Sequence, residues 1–525
     1  MERDRIFYGG DIITMQPGTE CEAVLVRDGK IHAIGTGREM LELSPGADSV
    51  DLEGKTLMPG MIDSHSHFAG CAASRLQVSL EGVKSWREIR ERIEEHRQEN
   101  RTAPGEWIVG YGLDPLELKE GRAPEGTLLD MAAPGHPVVI QYRSGHGGVF
   151  SYRALRELSV KDDGSDQMER QDGRLTGRMR EQAFMDLVRR VPMPSEKQQK
   201  NAFCLTQRMY ASYGITTVQE GMAVDEILEM YENLIRQSEP ALDVVLYLDY
   251  QNRKSLLERA RGLEKSSRGR VRVGGYKIFL DGSIQEKTAW LTKPYAAETE
   301  PGMEFGRGNL TDEAVIGAVE TAVRDRMQLL AHANGDRAAE QFLEAVRRGT
   351  KHPQDRELIR PVLIHSQMVR PDQLIRMKEL GITPSFFAAH VYYWGETHRR
   401  ILGEERAAGI SPCASAWKAG LPFTLHQDSP VLPPDMMGTI WCVVNRLTKA
   451  GRLLGPKERI SVQTALWAVT VHAAAQYGEP DKGRILPGMR ADLVILDQNP
   501  LKIPSEDLKN VSVLATVKDG VCIFM

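Results

Sequence analysis

Short apolar segments alternate with helix-length amphipathic stretches through the middle of this chain, and no other feature of the sequence restricts the fold as much. The apolar segments fall at 57–65, 216–220, 243–250, 276–281, 329–332, 362–365, 382–386 and 422–428. Two of the intervening stretches, 313–326 and 336–348, read as helices. The first sets Ala314, Val315, Ala318, Val319 and Ala322 on one face. Alternating strands and helices predict a parallel sheet with right-handed crossovers. Eight such strands predict a closed (β/α)8 barrel over an open doubly wound sheet. No glycine-rich phosphate loop follows the first strand, which argues against a nucleotide-binding fold.

The two ends of the chain resemble each other. Residues 23–34 read strand, Asp28-Gly29 turn, strand, and residues 515–524 repeat the layout around Asp519-Gly520. Asp-Gly between β-prone runs is a hairpin signal, because glycine accepts the positive φ of a type I′ turn. Isolated hairpins are marginal in water, so these pieces are expected to share a sheet in one small composite β domain, 1–56 with 484–525. The barrel then takes 57–70 with 205–483. The interval 71–204 is too long for a structureless loop. It holds an amphipathic stretch at 85–100, a strand-like segment at 138–142 and a charged region at 162–180, and reads as an inserted α+β subdomain over the barrel mouth. The expected fold is thus α/β, a deformed TIM barrel with a terminal β domain and an insertion.

Charge and cysteine content narrow the function. The 525 residues carry 67 Lys and Arg against 72 Asp and Glu. That near-neutral balance gives no reason to expect a nucleic acid or an anionic membrane as partner, and leaves a small molecule. Neither a signal-peptide core nor an apolar run of transmembrane length is seen. The six cysteines are scattered with no CxxC pair, which suits a reduced, cytoplasmic protein. Homo-oligomerisation stays open.

The polar residues that close the apolar segments carry the chemistry. His65-Ser66-His67 ends the first of them, and residues i and i+2 of a strand face one side, so both imidazoles can converge on a zinc-like ion. Lys277 lies within Tyr276-Lys277-Ile278-Phe279, where an unpaired charge is costly. His332, His365 and Asp428 end three further segments. Taken singly, each has an ordinary role: a hydrogen-bonded strand-end histidine, a lysine paired with Asp281, a turn-capping aspartate. Together, at the C-terminal ends where barrel enzymes place catalytic groups, four histidines, a lysine and an aspartate point to a metal site.

The run from Pro59 to His67 (Pro-Gly-Met-Ile-Asp-Ser-His-Ser-His) resembles the first-strand signature of the amidohydrolase superfamily. The segments 277–283, 332–338 and 426–431, with the tail Gly483–Val494, resemble its amidohydrolase family 3 branch, which includes N-substituted formamide deformylase. The resemblance spans nearly the whole chain. It implies a deformed TIM barrel, a composite β-sandwich from both termini, and hydrolysis by metal-activated water. It places His65, His67 and Asp428 at the more buried of one or two ions, zinc first, and His332 and His365 at the second ion or against substrate. Lys277 matches a lysine that some members carbamylate to bridge two metals. Asp428 would act as general base and then acid, with His332 or His365 on the oxyanion. Many members have Ser or Thr before the last-strand aspartate, where this chain has His426-Gln427. The implied activity is hydrolysis of a non-peptide carbon–nitrogen bond, amide or N-acyl and N-formyl included. The alternatives are a deaminase of a cyclic amidine or heterocycle and a non-catalytic, metal-binding regulatory protein. Asp281, His390, Trp394 and, from the insertion, His146 are further candidates for the substrate pocket.

Overall fold

In the computed structural model, which describes residues 3–143, 147–237, 240–297, 302 and 304–525, the eight apolar segments each contribute one strand to a single parallel sheet. In chain order these are β1 (Met61–Ile62), β2 (Ile215–Ala223), β3 (Asp243–Asp249), β4 (Val271–Phe279), β5 (Gln328–Ala333), β6 (Val362–His365), β7 (Thr383–Phe386) and β8 (Thr424–Leu425). Each pairs with the next in that order. Among the described residues no ladder joins β8 to β1. Single hydrogen bonds complete the ring instead: Ser64 Oγ donates to Leu425 O at 2.9 Å and His67 N–H to Ser429 O at 2.8 Å. Helices cover the outside. Asp312–Asp325, for example, buries Val315, Ala318, Val319 and Ala322, starts where Thr311 accepts the Ala314 N–H, and stops at left-handed Arg326.

The first segment differs from expectation. It is not one barrel strand, because Thr56–Pro59 pairs antiparallel with Leu493–Leu496 and only Met61–Ile62 enters the barrel. The break is at Pro59-Gly60. Proline has no N–H to give a second ladder, the Gly60 N–H goes to Asp492 O at 2.8 Å, and a Cβ on Gly60 would lie 2.5 Å from Thr216 Cγ2.

The terminal hairpins also depart from the single shared sheet. Ala23–Arg27 and Lys30–Gly35 belong to a four-stranded sheet, Val513–Lys518 and Val521–Phe524 to a five-stranded one. Both turns have the expected positive φ, 48° and 74° at Asp28-Gly29, 47° and 79° at Asp519-Gly520. What the ends share is a core, in which Phe7, Val24 and Val26 pack with Leu57, Leu493 and Val517. Buried ion pairs tie this sandwich to the barrel. Asp243, the first residue of β3, takes Lys482 Nζ at 2.6 Å, Lys518 Nζ at 3.0 Å and the guanidinium groups of Arg270 and Arg490 at 3.1 Å each.

The chain separates into two compact units, 1–68 with 207–525, and Ala69–Thr206. The second has its own six-stranded sheet, in the order Met168–Gln171, Arg174–Arg180, Gly147–Phe150, Val138–Tyr142, Ile108–Leu113, Gln77–Ser79. Helix Trp86–Glu99, capped by Ser85, buries Ile89 and Ile93 against Ile108, Val138 and Ile140. The charged region 162–180 contains a hairpin turning at Asp172-Gly173, the same dipeptide signal as at the termini. No described helix is long and apolar enough to cross a membrane.

Candidate metal centre

The polar residues at the strand ends of the barrel converge. His65 Nε2 lies 3.3 Å from Asp428 Oδ1, His67 Nε2 3.5 Å from the same oxygen, and His365 Nε2 3.8 Å from Asp428 Oδ2. Lys277 Nζ is 3.4 Å from His65 Nε2. The ligand atoms of His65, His365 and Asp428 all lie within 4.8 Å of one another. The tightest grouping therefore includes His365 from β6 alongside His65, with His67 on the same carboxylate but 30 % exposed. His332 packs its ring 4.6 Å from that of His365, with Nδ1 3.3 Å from Asp281 Oδ1.

Burial sets the protonation of the cluster. Desolvation, then the charge of Lys277, hold His65 well below the ordinary histidine range, and His67 is lowered to about 4 for the same two reasons. Burial also takes His365 well below that range. Both imidazoles of the tight group are neutral at pH 7, the form that binds metals. Burial pushes the Asp428 carboxyl up and the Lys277 amine down, each opposed by the charge of the other.

One hydrogen-bond chain fixes which His65 nitrogen is bare. Gln219 Nε2 donates to Ser64 O at 2.8 Å and to Tyr477 Oη at 3.0 Å. Its Oε1 must therefore be the atom 2.6 Å from His65 Nδ1, so Nδ1 carries the hydrogen. His65 Nε2 is then an acceptor that faces Asp428 Oδ1, for which no hydrogen-bond donor is found among the described residues. Lys277 Nζ reaches His65 Nε2 at 3.4 Å but leaves Asp428 Oδ1 unpaired, and two imidazoles with a carboxylate are a donor set that suits a divalent metal.

The outer candidates divide. Asp281 is sealed into the loop structure: its carboxylate accepts the backbone N–H groups of Trp290, Asn334 and Gly335, and it meets the cluster at His332. His390 is buried in an aromatic stack, its ring 4.3 Å from Phe387 and 4.4 Å from Trp394. Phe387 stands between it and His365. His146 lies outside the described residues. Three partners escaped the sequence reading. Gln219 and Glu220 are both fully buried in the middle of β2, and the Glu220 Oε1 is 4.0 Å from His67 Nδ1. The available signal was a polar pair closing the segment read at 216–220, past which the strand in fact continues to Ala223. His426, 0 % exposed, sits 3.1 Å from His365 Nδ1.

A model of the amidohydrolase family matches residues 48–524. The chain belongs to the amidohydrolase family. Among its relatives in that family, N-substituted formamide deformylase of Arthrobacter pascens is 26% identical over 543 residues, which is 99% of this chain and 98% of that protein. The putative amidohydrolase YtcJ of Bacillus subtilis is 26% identical over 550 residues and covers 99% of both chains. The crystal structure of an uncharacterized metal-dependent hydrolase from Pyrococcus furiosus, 26% identical, superposes with a TM-score of 0.73 over 95% of this chain and 100% of that one.

Proposed function

We propose that this amidohydrolase hydrolyses a carbon–nitrogen bond of a small molecule, an amide or an N-acyl group with N-formyl included. The observation that carries the proposal is the facing pair of acceptors, His65 Nε2 and Asp428 Oδ1, in a buried cluster of neutral imidazoles. His65, His365 and Asp428 are assigned to a divalent ion, zinc by its taste for nitrogen and carboxylate ligands, with His67, His332 and Lys277 around it. Such an ion supplies the positive charge that makes water nucleophilic at neutral pH and polarises a carbonyl. Asp428 takes the proton of the attacking water and returns it to the leaving nitrogen. Burial raises its carboxyl, which brings uptake and release of that proton closer to neutrality. His332, on the more open side of the cluster, meets the developing oxyanion. Burial lowers the Lys277 amine toward its neutral form, which can add to CO2. The new N–C bond costs the nitrogen one proton and gives an anionic carbamate, an oxygen ligand in place of a buried cation. The substrate class is supported by the family and by the named activity of the Arthrobacter pascens relative.

Metal analysis of protein purified without added metal, followed by turnover on amide and heterocycle panels, tests the proposal. Stoichiometric metal, lost in His65→Ala, and equal release of carboxylate and amine are expected. Ammonia from a heterocycle without carboxylate would make the chain a deaminase, and no metal with no turnover would remove it from the enzymes. Gln219→Leu should weaken ion binding about ten- to hundredfold in a metal titration, because His65 Nδ1–H then loses its acceptor.

A further inference from the structure

We propose that His426, with Ser385 and Ser64, forms a positioning relay that fixes the tautomer of His365 and keeps His365 Nε2 bare toward Asp428. The inference rests on the metal-centre reading above only for the use made of that nitrogen.

The direction of the relay follows from one carbonyl. Ser64 Oγ has a single hydrogen, and the 2.9 Å contact with Leu425 O, which can only accept, uses it. Ser385 Oγ stands 3.3 Å from Ser64 Oγ. Ser385 is therefore the donor there, since the reverse would set two oxygen lone pairs against each other. Having given its hydrogen to Ser64, Ser385 Oγ must accept, and at 2.7 Å it accepts from His426 Nδ1–H. A neutral imidazole with its hydrogen on Nδ1 has a lone pair on Nε2, and that lone pair, at 3.1 Å, receives His365 Nδ1–H. His365 Nε2 is left without a hydrogen, 3.8 Å from Asp428 Oδ2.

The relay joins the ends of β6, β7, β8 and β1, and Ser64, Ser385 and His426 are all 0 % exposed. Water therefore has no access to replace any link, and the reversed order, with Ser385 donating to His426 Nδ1 and His426 Nε2–H to His365, would leave the Ser64–Ser385 contact without a hydrogen. Phe387 packs 5.3 Å from the His426 ring and 6.0 Å from that of His365, which holds both ring planes. Gln219 does for His65 what His426 does for His365, so two separate chains present two bare Nε2 atoms to one carboxylate.

Two measurements test the relay. Long-range 1H–15N NMR of full-length, histidine-labelled protein after chelation should show His365 and His426 as Nδ1–H tautomers, and an Nε2–H tautomer at His365 overturns the proposal. Metal titration then compares His426→Gln with His426→Phe. Glutamine can offer Oε1 to His365 and an N–H to Ser385, so it should retain affinity near that of the unaltered protein, whereas phenylalanine should weaken the ion about ten- to hundredfold. Unchanged affinity in a folded His426→Phe protein overturns the relay. Ser385→Ala gives the same comparison should phenylalanine prevent folding: weaker binding supports the relay, and unchanged affinity overturns it. An unaltered protein that binds no ion removes the metal reading, while the tautomer spectrum still decides the relay.

Discussion

Asp428→Asn is expected to reduce kcat about 10³-fold without unfolding the protein. Asparagine has nearly the shape of aspartate. Asp428 has φ 57°, a left-handed conformation that asparagine adopts more readily than most side chains. Among the described residues the Oδ1 atom has no hydrogen-bond donor to lose, so the substitution breaks no hydrogen bond to them through that atom. What changes is the chemistry. A carboxamide cannot take the proton of attacking water, and its NH2 group turned toward His65 Nε2, now 3.3 Å from the carboxylate, would satisfy that acceptor with a hydrogen instead of leaving it for a cation. Product release under saturating substrate measures the loss, and an unchanged thermal midpoint separates it from misfolding. Full turnover in a folded Asp428→Asn protein would falsify the assignment of Asp428 as general base.

The barrel was legible because each strand is a run of apolar residues with a polar end, a pattern that only burial on both faces produces. The β3 strand, buried along all seven residues, is the clearest case. The ligand candidates were legible for the same reason: His65, Lys277, His365 and Asp428 interrupt apolar runs at the one end of the barrel where loops gather. The split at Gly60 was harder to see, since Thr56–Pro59 and Met61–Ile62 read as one apolar run and are separated only by which neighbour, Leu493–Leu496 or β2, claims them. The relay was not legible at all. Ser64, Ser385 and His426 lie on three different strand ends, and whether a hydroxyl gives or takes a hydrogen depends on a carbonyl, Leu425 O, brought to it by barrel closure. Nor could spacing show that the ligand atoms of His365, on β6, would fall within 4.8 Å of those of both His65 and Asp428, because that reach depends on the twist between strands.

Asp243→Asn should destabilise the protein by about 3 kcal/mol, the size expected when one partner of a buried ion pair is removed. Asp243 is 5 % exposed and receives two lysines, Lys482 at 3 % and Lys518 at 1 %. Asparagine leaves their charges short of one counter-charge where water cannot reach. Lys518 still has Asp492 at 2.9 Å and Asp519 at 3.0 Å, and Lys482 has Glu479 at 3.0 Å, which keeps the loss from being larger. The pH dependence has a definite sign. The lysines, led by Lys482, outweigh the opposing burial and hold the Asp243 carboxyl far below the usual range. An acid with a depressed folded pKa stabilises fully above its unfolded value of about 3.9 and loses that contribution as pH falls toward the folded value. Asp492, which burial raises, acts in the opposite sense, so the network's acid dependence is carried by Asp243 and by the likewise lowered Asp519. Thermal midpoints recorded from pH 7 to pH 2 should therefore fall more steeply below pH 4 in the unaltered protein than in Asp243→Asn, and the two curves should approach each other at the acid end. Parallel curves would mean that the ion pairs at the base of the barrel do not hold the terminal sandwich to it.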